Sequence, residues 1–271
     1  MLLSHIVTPA ASQVSIPATI ILHGFLGSKK NWRPVARLLT PRLGPIVLAD
    51  LRNHGESPHS DTHNHKAMAQ DVFHLADHLG FKTFNLVGHS QGGKTAMHMA
   101  LERGNRINKL VVVDTTPASY DLSLFHGYID RMKEISAARI SSLDAAESIL
   151  AKTIPDGLIR RFLMTNLKMQ PDGRLDFIVN LQALEGAVKS LDAHTSTWGF
   201  PFHEPGVKFE GPTLVVRGTK SNYVRGKKEA LLLSRFPNAE IVDLETGHWV
   251  HHEKPKEFAN CVGDFLLDST K

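Results

Sequence analysis

The chain has 271 residues, 42% of them hydrophobic and 21% charged, the balance of an ordinary globular protein with room for one large α/β domain and an insertion. Its 31 Lys and Arg residues outnumber 27 Asp and Glu for a formal charge of +4, with no dense basic cluster, which argues against a nucleic-acid partner. No run of about eighteen apolar residues occurs, so no membrane span is expected.

Residues 1–17 have neither a basic leader nor a long apolar run, so no secretory signal is expected, and their lack of arginine speaks against a mitochondrial transit peptide. The expected setting is cytoplasmic, with mitochondria as the alternative in a eukaryote. The β-branched run at residues 19–22 predicts a buried strand, ending in His23-Gly24-Phe25-Leu26-Gly27. Ser28 is a candidate N-cap for a helix reaching residue 39, with Trp32, Val35, Ala36 and Leu39 on one face. Residues 46–49 predict the next strand, closed by Asp50, and Arg52-Asn53-His54-Gly55-Glu56-Ser57-Pro58 follows as a polar, turn-rich loop. His59, His63 and His65 read as part of a solvated loop; no cysteine or carboxylate set completes a metal site there, so no metal is expected. Met68, Val72, Leu75 and Leu79 mark an amphipathic helix that stops at Gly80.

Residues 84–87 predict a strand, residues 94–103 a helix, and residues 109–113 another strand ending at Asp114. Between the first two lies Gly88-His89-Ser90-Gln91-Gly92, a G-x-S-x-G pentapeptide in which a serine tops a strained strand-to-helix turn. Strands alternating with helices at this spacing predict a mostly parallel, doubly wound α/β sheet, whose chemistry gathers at the carboxyl ends of the strands. Phe25, Asp50, Ser90 and Asp114 all fall there.

Residues 117–205 then show helical periodicity without clear strands, which predicts an all-helical lid inserted over the strand ends. The core is expected to comprise residues 1–116 and 206–271, with strands at 213–216 and 240–244 and helices at 227–236 and 254–267. The lone cysteine, Cys261, excludes an intramolecular disulfide, fits a reducing compartment and falls on the apolar face of the last helix.

Two chemistries compete for the central motif. Gly88 to Thr95 also fits the phosphate-cradling pattern G-x-x-x-x-G-K-[ST], and the apolar strand before Asp114 suits the magnesium-holding aspartate of a nucleotide hydrolase. That reading leaves His23-Gly24 and Gly247-His248 unused. A serine nucleophile uses both. His248 follows the last strand and is suited to general-base work near neutral pH. The order Ser90, Asp114, His248 is the Ser…Asp…His order of this architecture, and the Phe25 and Gln91 amides can form an oxyanion hole. The turn after the penultimate strand, Gly218-Thr219-Lys220-Ser221-Asn222, holds no carboxylate, which shifts the acid to Asp114. Asp50 is the chief rival, followed by Asp176 or Asp192 in the lid.

The chain resembles the α/β-hydrolases of the small YbfF-type esterase group, which includes the abhydrolase-domain mitochondrial hydrolases and the fungal ethanol acetyltransferases. The resemblance runs nearly end to end. It rests on His23-Gly24-Phe25-Leu26-Gly27-Ser28, the Arg52 to Pro58 loop, Gly88-His89-Ser90-Gln91-Gly92-Gly93-Lys94, Val112-Val113-Asp114, Ser221-Asn222-Tyr223-Val224 and Gly247-His248-Trp249-Val250-His251. It implies an α/β-hydrolase fold, an acid at the earlier position, and a serine carboxylesterase acting on small acyl esters without metal or organic cofactor. The lid is rich in Leu, Ile, Phe and Met, so a short- to medium-chain acyl pocket is expected. An acyltransferase or thioesterase with the same triad, a nucleotide hydrolase and a non-catalytic binding protein are the alternatives.

Overall fold

The computed structural model describes residues 1–9, 16–192 and 206–269. Its sheet and the helices around it run β1 (His5–Thr8), β2 (Thr19–Leu22), α1 (Arg33–Leu39), β3 (Ile46–Ala49), α2 (His65–His78), β4 (Phe84–His89), α3 (Gln91–Glu102) and β5 (Ile107–Val113). After an inserted segment come β8 (Thr213–Gly218), α8 (Lys227–Arg235), β9 (Ala239–Leu244), α9 (Val250–Glu253) and α10 (Pro255–Leu267). The insertion itself holds α4 (Ser123–Ala138), α5 (Leu143–Ala151), α6 (Gly157–Met164), β6 (Leu167–Met169), β7 (Leu175–Phe177) and α7 (Leu181–Asp192).

Among the described residues the main sheet has seven strands in the order β1-β3-β2-β4-β5-β8-β9. All its pairings are parallel except that of β1 with β3. Side chains alternate across a strand, so each apolar run serves two cores. Ile20, Leu22, Leu110 and Val112 pack with Met68 and Val72 of α2 and Met97 of α3. Ile21, Val87, Val111 and Val113 pack with Leu39 of α1 and Phe258 and Val262 of α10 on the other face. Each such side chain, fully buried, contributes roughly 1.5–3 kcal/mol. The sheet is therefore rigid where its carboxyl edge presents His23, Asp50, Ser90 and Asp114.

The insertion departs from the all-helical expectation. Leu167–Met169 and Leu175–Phe177 pair antiparallel, and α7 begins only at Leu181. Pro171-Asp172-Gly173 makes the turn: Gly173 adopts φ 82°, and the Gln170 amide donates to the Arg174 carbonyl at 2.8 Å. Strands of three residues are too short for periodicity to register. Residues 193–205, the expected end of the insertion, lie outside the described residues. Ile129, Met132, Leu150, Leu163 and Leu184 of the insertion share a third apolar cluster with Phe25 and Leu26, so this segment stands over the β2 end of the sheet. Among the described residues no helix is long and apolar enough to cross a membrane.

Candidate active site

β4 ends at His89 and α3 begins at Gln91, so Ser90 alone makes the turn between them. It adopts φ 51° and ψ −115°, a conformation that costs a non-glycine residue roughly 1–3 kcal/mol. The neighbouring glycines make it possible. A Cβ on Gly88 would stand 2.3 Å from the Gly92 carbonyl oxygen, and one on Gly92 would stand 2.6 Å from those of Leu22 and His23. The Ser90 amide donates to the Val113 carbonyl at 3.1 Å, and its carbonyl accepts the Lys94 amide at 2.9 Å. Strand β5 and helix α3 thus hold the strained turn from both sides.

The same turn removes the nucleotide-hydrolase alternative. A phosphate cradle needs an open loop, but α3 starts at Gln91 and takes up Gly92 to Thr95. The Lys94 amine donates to the Ala118 carbonyl and lies over the Tyr120 ring. The Thr95 hydroxyl donates to the Gln91 carbonyl at 3.1 Å.

At the end of the adjacent strand, Asp114 is fully buried with φ 46°. His248 Nδ1–H donates to its Oδ2 at 2.7 Å. The Ser221 hydroxyl donates to the same oxygen at 2.5 Å, and the Gly218 amide to Oδ1 at 3.1 Å. With Nδ1 spent on the carboxylate, the basic lone pair of His248 is on Nε2. The Tyr223 ring stacks on the imidazole with centroids 4.1 Å apart and planes 17° from parallel. Ser221 and Tyr223 were not read from the sequence as site residues, although the missing carboxylate in their turn pointed there. The other carboxylates have different partners. Asp50 accepts the Lys29 amine at 2.6 Å and the Glu56 amide at 2.9 Å. Asp176 accepts the Ser136 hydroxyl at 2.7 Å. The side chain of Asp192 lies outside the described residues.

The loop carrying Phe25 is pressed against Ser90: a Cβ on Gly24 would meet His89 Nδ1 at 2.8 Å and Ser90 Cβ at 3.3 Å. Two histidines hold it by the same pattern. His23 Nε2 accepts the Leu51 amide at 3.0 Å while Nδ1–H donates to the Gly24 carbonyl at 2.8 Å. His54 Nε2 accepts the Leu26 amide at 3.1 Å while Nδ1–H donates to the Arg52 carbonyl at 2.9 Å. Both rings must be neutral to accept, and burial holds both pKa values below the ordinary histidine range. His89 Nε2–H donates to the His248 carbonyl at 2.9 Å, anchoring the backbone there. Burial, then the neighbouring His248 and His251 rings, pushes the pKa of His89 well down. His63 and His65, expected in a solvated loop, are buried instead. They hydrogen-bond the Gln91 amide group and the Thr95 hydroxyl, both on α3.

Two cavities meet at Ser90. The larger, of about 460 Å³, has His248 and the rings of Phe25, Phe125, Tyr128, Phe162 and Trp249 in its wall. The smaller, of about 60 Å³, is bounded by Phe25, Gln91, Lys94, Tyr120 and Tyr223. Burial, followed by the nearby Lys228 ammonium, pulls the Lys94 amine down to about 7. Ser90 and Phe25 line both cavities, while His248 lines the larger and Gln91 the smaller.

Known proteins resemble the chain in both sequence and shape. A family described as alpha/beta hydrolase fold matches residues 17–139. The chain is 36% identical to the sn-1-specific diacylglycerol lipase ABHD11 of Mus musculus, over 93% of this chain and 81% of the lipase. It is 34% identical to a probable alcohol acetyltransferase of Saccharomyces cerevisiae, over 92% of this chain and 77% of the other. A solved structure titled marine microorganism esterase superposes with a TM-score of 0.88 at 28% identity, covering 97% of this chain and 99% of its own.

Proposed function

Because the chain belongs to the α/β-hydrolase family and is a serine hydrolase, we propose that Ser90, His248 and Asp114 are its catalytic triad, hydrolysing short- to medium-chain acyl esters through an acyl-enzyme. The observation that carries this is the 2.7 Å bond from His248 to buried Asp114, formed at the wall of the same cavity that exposes strained Ser90. Ser90 Oγ attacks the ester carbonyl while His248 Nε2 takes its proton. Asp114 fixes the imidazole tautomer and stabilises the imidazolium. The Phe25 and Gln91 amides donate hydrogen bonds to the negative charge developing on the carbonyl oxygen. His248 then returns its proton to the leaving alkoxide, and water cleaves the acyl-serine by the same route in reverse. A cavity of about 460 Å³ with aromatic walls supports an apolar ester of modest size. A reducing, intracellular setting is part of this reading, supported by the single, half-buried Cys261.

Turnover of p-nitrophenyl butyrate and labelling by a fluorophosphonate test the proposal. Both are expected in the wild type and both are expected to vanish in Ser90→Ala; a Ser90→Ala protein that still labels would remove Ser90 as nucleophile. A second reading, acyl transfer to an alcohol or thiol, is favoured by the name of the yeast relative. Ethyl ester formed from the acyl-enzyme in the presence of ethanol would establish it, and free acid alone would return the reading to hydrolysis.

A further inference from the structure

The segment after β8 supplies no carboxylate, yet it contacts both members of the acid–base pair. Gly218 and Ser221 hold Asp114, and Tyr223 covers one face of His248. Among the described rings beside His248, His89 and Trp249 lie tilted by 44° and 58°, whereas Tyr223 lies within 17° of parallel. The Tyr223 backbone is fixed at both ends. Its amide donates to the Ser221 hydroxyl at 3.3 Å, and its carbonyl accepts the Tyr120 hydroxyl at 3.1 Å. Tyr120 is tied back to the segment just after Asp114, because its oxygen accepts the Thr116 amide at 2.7 Å. The two tyrosine rings contact each other with centroids 4.6 Å apart.

We propose that Tyr223 is a positioning residue for His248, its ring holding the imidazole plane in line with Ser90 and giving the imidazolium an electron-rich face as it forms. This rests on the triad reading given above. A flat ring at stacking distance blocks rotation about the Cβ–Cγ bond of the histidine, which keeps the base in its reactive geometry. The face of an aromatic ring also attracts a cation more than a neutral group, so the contact strengthens as the proton arrives. The ring is the working part and the phenol is not. Phenylalanine should therefore substitute, and a branched aliphatic of similar bulk should not.

The experiment compares wild type, Tyr223→Phe and Tyr223→Leu in saturation kinetics with p-nitrophenyl butyrate, and records the imidazole proton resonances of His248. Tyr223→Phe is expected to stay within about twofold of wild type in kcat, whereas Tyr223→Leu is expected to lose about tenfold in kcat with little change in KM. A substrate-wall role would instead raise KM. The ring current of a stacked aromatic should shift the His248 ring protons upfield in wild type and Tyr223→Phe but not in Tyr223→Leu. The wild-type spectrum stands as a test even where the leucine variant fails to fold: unshifted protons would overturn the proposal. A Tyr223→Leu enzyme with normal kcat, in a protein that labels at Ser90, would overturn it while leaving the triad intact. Failure of the wild type to label at Ser90 would remove the triad reading itself.

Discussion

Asp114 is fully buried and accepts three hydrogen bonds, from His248, Ser221 and Gly218. Asparagine has the same shape but presents only one acceptor, and its NH₂ cannot receive the imidazole N–H. Asp114→Asn is therefore expected to lower kcat by up to ~10⁴, the loss seen when a triad carboxylate is replaced by its amide. Saturation kinetics on one ester would measure it, and a near-normal rate would take the acid role from Asp114. Lys94 shows the opposite situation, a cation with no carboxylate partner among the described residues. Its amine is held at about 7 in the folded chain, against 10.5 unperturbed. Between those values the unfolded chain binds the extra proton, so this residue's contribution to stability rises with pH through that window. Wild type is therefore expected to gain melting temperature relative to Lys94→Met between pH 7 and pH 10, and parallel curves for the two proteins would contradict it.

The insertion and the sheet meet through a few polar clasps as well as apolar packing. Asn166, between α6 and β6, is buried and donates from Nδ2 to the Leu26 carbonyl at 2.8 Å. Asn180, at the start of α7, donates to the Asn53 carbonyl and side-chain oxygens at 3.0 and 3.1 Å. These bonds tie the elements above the site to the loops after β2 and β3. Asn166→Leu leaves the Leu26 carbonyl buried without that donor, and should cost about 1–3 kcal/mol in denaturant unfolding; an unchanged midpoint would show the clasp to be idle. Neither asparagine announces itself in the sequence, because a hydrogen bond between segments 140 residues apart leaves no local pattern. The same limit explains the other gaps. The strands at residues 19–22, 46–49 and 84–87 were legible because burial on both faces gives an apolar run. Strand β1 is half exposed and pairs only at the sheet's edge, so its composition is mixed. Pro171-Asp172-Gly173 carries a turn signal, but strands of three residues on either side leave no periodicity to mark the hairpin it closes. Ser90 and His248 stood out because strand-end motifs are local. Ser221 and Tyr223 act through space on residues more than twenty positions away, and only the empty carboxylate position hinted at them.

At the scale of the whole molecule, buried imidazoles link stability to pH. His23, His54, His63, His65, His89 and His251 are all buried, and burial lowers the pKa of each below 6.5. They sit around the loop carrying Phe25, the first turns of α3 and the backbone of His248. In the native state they bind fewer protons than in the unfolded chain at any pH between their folded values and 6.5. Their contribution is therefore complete above 6.5 and is lost as pH falls below it. His63 and His251, held at about 3, each forfeit about 2 kcal/mol between pH 6.5 and 5. Carboxylates act in a separate window. Glu56 and Asp243 are lowered from 4.5 and 3.8 by Lys29 and Arg217, so their share is lost only nearer those values. Against a domain stability of about 5–15 kcal/mol, the loss from these two histidines is already a substantial fraction. The melting temperature is expected to fall steeply from pH 6.5 to 5. Thermal unfolding followed by circular dichroism across that range, with His63→Gln alongside, measures it. The variant should start less stable and decline less, because one protonation step has been removed; a wild-type curve that stays level down to pH 5 would mean that these imidazoles are charged in the folded protein.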